Sequence, residues 1–140
     1  MRNLIESINN NLNESVEEDL NQIGNQNNMY ADIVNTLKNN ITDYSDRNEV
    51  RGYLYDLIDN EGGLIKAGFN LDNFIETYKE DVTKYVDELN YFKQKALLNE
   101  LIGYSNDFGA LILRTDTDEY NHNLAISIIS SIINDIYESI

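Results

Sequence analysis

Apolar residues at Leu4, Ile5, Ile8, Leu12, Val16 and Leu20 recur at nearly every fourth position, with Asn and Glu between them. One apolar stripe with polar flanks is the signature of an amphipathic helix, here predicted over 3–22. "GNQNN" interrupts it, and a second stripe begins near Met29 with Ile33, Val34, Leu37 and Ile41. A third set is Val50, Tyr53, Leu54, Leu57 and Ile58. Leu71, Phe74, Ile75, Tyr78, Val82, Tyr85, Val86 and Leu89 then predict one helix over 70–92, about five turns long. The most apolar segment comes last, with Leu124, Ile128, Ile129, Ile132, Ile133, Ile136 and Ile140 at helical spacing. It predicts the central core helix near 120–138, although β-branched Ile needs tertiary burial to hold that state.

Short-range signals punctuate these stripes. Asp46 and Glu49 in "DRNE" form a capping-box pattern, "NEGG" offers Gly62 or Gly63 as a left-handed helix stop, and Asn70 is placed to cap the next helix. "LIKAGFN" reads as a short link with one helical turn, and 94–102 as a shorter helix ending at Gly103. "FGALILR" (108–114) lacks helical punctuation and reads as a short extended segment. The expected fold is therefore mainly α, a compact helical domain of about five to seven helices. It is expected to be a single domain over 1–140, with a soft boundary near 45 between a helical hairpin (1–45) and the main helical core (46–140).

Composition narrows the function. The chain has 140 residues, of which 41% are hydrophobic, enough for a real core and too many for a disordered acidic tail. Its 25 acids against 10 bases give a net charge of −15. Such a field repels nucleic acid and anionic membranes and attracts basic protein surfaces, so neither direct nucleic-acid binding nor membrane association is expected. The 22 Asn, 17 Ile and 10 Tyr have AT-rich codons and point to a low-GC genome. That bias should favour Lys equally, yet there are only six, which points to a requirement for negative charge. Cysteine is absent, which excludes disulfides and thiolate metal sites and suits a cytoplasmic protein. No stretch has the apolar length of a signal peptide or a membrane span.

Candidate chemistry is sparse. His122 is the only histidine. Arg114 and His122 are similar to the Arg-and-His pairs of helical ribonucleases, but their separation is too long. "DTDEYNHN" begins like a calcium loop at Asp116 and Asp118, but Asn121 and Ser127 stand where that loop needs Gly and Glu. "EGGLIKAG" lacks the ending of a phosphate loop. No enzyme activity, cofactor or metal is expected. Tyr55, Tyr91 and Tyr104 are candidate exposed interface anchors.

The acids themselves remain. Asp72, Glu76 and Glu80 are spaced by four, and four helical residues rise about 6 Å, a roughly phosphate-like pitch. Further acids cluster at Asp116, Asp118 and Glu119, at Glu17, Glu18 and Asp19, and at Asp56, Asp59 and Glu61. The last two clusters join Asp72, Glu76 and Glu80 as the expected partner-binding surface. Lys79 and Lys84 partly offset Asp72, Glu76 and Glu80, as they would on an ordinary solvated face.

In size, acidity, Asn/Ile/Tyr richness and lack of a catalytic motif, the chain resembles the small anti-defence proteins of phages that infect low-GC bacteria. These include anti-CRISPR and anti-restriction proteins, some of them DNA mimics. The resemblance implies a stoichiometric inhibitor in the host cytoplasm, bound to the basic nucleic-acid channel of a Cas effector or restriction nuclease. Two alternatives stand beside it, an acidic antitoxin or immunity protein for a basic toxin, and a helical structural or oligomerisation protein. A homodimer is left open.

Overall fold

A computed structural model describes residues 16–59, 63–101, 108–114 and 118–140. Among them every regular element is helical and no strand occurs, as the periodicity predicts. Residues 16–24 belong to α1. They are followed by α2 (Asn28–Asn40), α3 (Arg47–Asp59), α4 (Gly63–Lys66), α5 (Leu71–Thr77), α6 (Lys79–Glu88) and α7 (Tyr91–Glu100). One turn of 3-10 helix (Phe108–Ala110) precedes α8 (Asp118–Ser139). The chain divides into two compact units, one within Met1–Phe69 and Ile132–Ile140, the other Asn70–Ser131.

In the first unit most of the described part of the predicted stripes is buried, while Ile41, Tyr53, Leu57 and Ile58 are half-buried and Leu4, Ile5, Ile8 and Leu12 lie outside the described residues. Val16 and Leu20, then Met29, Ile33, Val34 and Leu37, then Val50 and Leu54 are all buried, as are Ile132, Ile133 and Ile136 of α8. Asn27 starts α2 by accepting the Tyr30 N–H at 2.9 Å. Asp46 starts α3 by accepting the N–H groups of Asn48 (2.9 Å) and Glu49 (3.3 Å). Both arrangements satisfy amide donors that a helix start leaves without carbonyl partners. The left-handed stop falls on Gly68 (φ +108°), whereas Gly63 begins α4. The N–H of Phe69 reaches the Leu64 carbonyl at 3.1 Å and that of Gly68 the Ile65 carbonyl at 3.0 Å, a Schellman closure. A Cβ at Gly63 would stand 3.1 Å from Leu57 Cδ2, a tight approach that a larger residue would meet only by displacing that side chain. Gly62, the other expected stop, lies outside the described residues.

In the second unit the single helix expected over 70–92 is three helices. Asn70 caps α5 through the Asn73 N–H at 3.0 Å, as expected. Tyr78, at φ −113° and ψ 25°, then ends α5, and α6 opens a new first turn after it. The spacing pattern conceals this break for a physical reason. The Tyr78 N–H still donates to the Phe74 carbonyl and the Val82 N–H to the Tyr78 carbonyl, both at 2.9 Å. The buried face (Leu71, Phe74, Tyr78, Val82, Tyr85, Val86) thus keeps its phase through the interruption. α7 starts at Tyr91, earlier than residue 94, because Asn90 caps it through the Lys93 N–H at 2.9 Å.

The segment expected to be extended is partly so. Phe108–Ala110 is a 3-10 turn, and 111–114 is irregular, with Leu111 and Leu113 buried and Ile112 42% exposed. It is not a strand. The side-chain amide of Asn121 takes the place of a neighbouring strand, accepting the Arg114 N–H at 2.6 Å and donating to the Arg114 carbonyl. The Ile-rich stripe of α8 is buried at every predicted position, from Leu124 to Ile140.

Candidate functional site

The predicted acidic residues fall on both units. Glu17 and Glu18 are exposed on α1 and Asp19 is half-buried there, while Asp56 is exposed on α3. Asp59 ends α3 with its side chain outside the described atoms, and Glu61 lies outside the described residues. Glu17 stands 4.0 Å from Lys38 Nζ, which also donates to Asn21 Oδ1 at 2.6 Å and so ties α1 to α2. An exposed pair of that length is worth under about 1 kcal/mol.

In the second unit Asp72, Glu76 and Glu80 are all exposed, but they do not form a row on one helix. Asp72 and Glu76 share α5, where the rise of about 6 Å per four residues applies. Glu80 lies beyond the Tyr78 break, in the first turn of α6 with Asp81. There the helix dipole favours a carboxylate. Asp72 is engaged by the one histidine, with Asp72 Oδ1 2.8 Å from His122 Nε2. By contrast, no base among the described residues pairs with Glu18, Asp56, Glu76 or Glu80.

Arg114 and His122 are used separately. The Arg114 guanidinium lies 4.4 Å over the Tyr120 ring, while the imidazole of His122 meets Asp72. Asp118 and Glu119 occupy the first turn of α8, where they meet the positive end of its dipole. Asp116, the other calcium-loop candidate, lies outside the described residues. Among the described residues no three His, Cys, Asp or Glu side chains gather as metal ligands, and no helix is long and apolar enough to cross a membrane.

The exposed aromatic expectation is met at two positions. Tyr91 is 58% exposed, and Tyr55 is exposed with its ring 6.3 Å from Tyr137, whose other neighbour is the Arg51 guanidinium at 4.4 Å. Tyr104 lies outside the described residues. Sequence reasoning overlooked Phe92, the most exposed large apolar side chain among the described residues at 80%. The signal was available, since Asn90 as a helix cap puts Tyr91 and Phe92 in a first turn ahead of the buried Leu97 and Leu98.

Comparison with protein-family models, curated proteins and solved structures finds no match. The functional reading therefore rests on the geometry and charge of this chain.

Proposed function

We propose that the chain is a stoichiometric inhibitor of a host defence nuclease, carried by a phage or mobile element. It occupies the basic nucleic-acid channel of a Cas effector or restriction enzyme. The observation that carries this reading is a net charge of −15 whose exposed carboxylates at Glu18, Asp56, Glu76 and Glu80 form no ion pair among the described residues. Exposed acids without an ion pair repel one another, and away from helix starts they add little to the fold. Their field is useful to a basic surface, where it speeds encounter and competes with nucleic acid.

The test begins with the protein captured by this chain from the lysate of a low-GC host. Its affinity for wild type is compared with that for Glu76→Lys/Glu80→Lys and for Glu17→Lys/Glu18→Lys. Tight binding by wild type should weaken steeply as salt shortens screening below about 8 Å and should be displaced by the partner's own DNA or RNA. At least one charge-reversed variant should bind tenfold or more weakly (roughly 1.4 kcal/mol) with its helicity intact. Equal binding by all three proteins at both salt concentrations refutes the channel reading. His122→Ala should keep activity within a few-fold, because among the described residues that imidazole pairs with the Asp72 carboxylate and with no nucleophile.

A further inference from the structure

A cavity of about 110 Å³ opens in the first unit where the end of α1 and the start of α2 meet the last turns of α8. Ile132 and Ile136, both buried, and the half-buried Ile23 supply its apolar floor. Its polar groups come from Gln26 and Ser139, which are exposed, and from Tyr30 and Asp135, which are half-buried. The cavity therefore runs from an apolar base to a polar mouth.

That mouth is rich in acceptors. Asp135 brings a carboxylate. The Ser139 hydroxyl donates to the Asp135 carbonyl at 2.8 Å, so its oxygen has lone pairs left to offer a ligand. Both residues stand at the C-terminal end of α8, where the helix dipole is negative and no basic residue occupies the last turn. Arg47 donates to the Ile140 carbonyl just beyond, and among the described residues no base lines the cavity. A carboxylate, a spare hydroxyl oxygen and a negative helix end over an apolar floor favour a ligand with a cationic donor head and an aliphatic stem. Size narrows the choice. A cavity of about 150 Å³ holds benzene, so this smaller one takes a narrow chain and not a ring. A guanidinium carries five N–H donors in one plane and meets several acceptors at once, which a compact ammonium does less well.

We propose that this cavity receives an arginine side chain of a basic protein partner, with its methylenes on Ile23, Ile132 and Ile136 and its guanidinium on Asp135 and Ser139. The inference rests on the reading that the partner is basic. It adds an anchoring point to that reading, because Glu18, Asp56, Glu76 and Glu80 are not part of the cavity. Their field draws the basic surface in, and a pocket that encloses one arginine fixes its register.

NMR titration of the full chain at constant ionic strength tests the cavity without the partner. The probes are N-acetyl-arginine methylamide and its uncharged isostere, N-acetyl-citrulline methylamide. The arginine probe should shift the methyl signals of Ile23, Ile132 and Ile136 and saturate, with a dissociation constant on the order of 1–10 mM for so small a ligand. The citrulline probe should bind roughly tenfold more weakly or worse. Asp135→Asn should weaken the arginine probe in the same way, and the citrulline comparison stands on wild type whether or not that variant folds. Shifts that never saturate, or that scatter over the exposed acids, overturn the proposal, as does equal binding of the two probes. Tighter binding of spermidine or of N-acetyl-lysine methylamide than of the arginine probe also overturns it and assigns the cavity to an ammonium ligand. The protein captured from the lysate should bind folded Asp135→Asn at least about tenfold more weakly than wild type, and unchanged affinity overturns the arginine anchor. Loss with Asp135→Asn beside normal binding of Glu76→Lys/Glu80→Lys and Glu17→Lys/Glu18→Lys upholds the cavity and refutes the channel reading alone.

Discussion

Asn121 is 7% exposed, and its short amide holds both polar groups of the Arg114 backbone. Burial without partners would cost such an amide dearly, so the clamp determines where 111–114 runs. Asn121→Ala leaves the Arg114 N–H and carbonyl without this partner and should lower stability by about 1–3 kcal/mol in urea unfolding. A loss under about half a kcal/mol, the range of ordinary surface changes, would show the clamp to be idle. Tyr53 presents the opposite case, a buried hydroxyl with no hydrogen-bond partner among the described residues. Burial pushes its phenol above the ordinary value. A folded-state value above the unfolded one gives stability that is complete below about pH 10 and lost as pH rises through the folded value. Tyr53→Phe should therefore be neutral or slightly stabilising at pH 7. It should also flatten the fall in stability above pH 10, as followed by thermal melts across that range.

Helix starts show what the abundant asparagine does at the scale of elements. Asn27, Asn70 and Asn90 each accept an N–H three residues on, with Asp46 in the same role at α3. Lost caps cost about 1 kcal/mol each, so part of the Asn bias has a structural use beside its codon origin. Helix ends are handled by other side chains. Asn40 Nδ2 donates to the carbonyls of Thr36 (2.8 Å) and Ala67 (3.1 Å), closing α2 against the end of α4. Gln94 Nε2 closes α6 in the same manner, donating to the carbonyls of Val86 (2.8 Å) and Leu89 (3.2 Å). Gln94→Ala should cost about 1 kcal/mol and speed amide exchange selectively around Leu89–Lys93, measured by hydrogen exchange. Uniform exchange along the chain would show that the α6–α7 junction is held by its apolar packing alone.

For the chain as a whole, a net charge of −15 opposes compaction through self-repulsion. Added salt screens it, so the melting temperature should rise by a few degrees between about 0.01 M and 0.5 M NaCl. A flat or falling profile would mean that the bases already neutralise the acids locally. Sodium sulfate is unsuitable for this measurement, because it strengthens apolar burial as well.

The sequence by itself determined the helical class, most of the buried face of α2, α5, α6 and α8, the caps at Asp46 and Asn70, and the field of −15. These features depend on spacing within a few residues or on composition, and tertiary contacts do not alter them. Tertiary structure decided the rest. The Tyr78 break preserves the spacing of the buried face, so periodicity is blind to it. Gly63 begins α4, and the left-handed glycine among the described residues is Gly68, which closes that helix. Asp72 met His122 across 50 residues of chain, and Phe92 stayed outside while Leu97 and Leu98 of the same helix went in. Which helix faces meet is settled by the sum of many buried contacts, and a side chain's partner across such a contact is not written in its own neighbourhood.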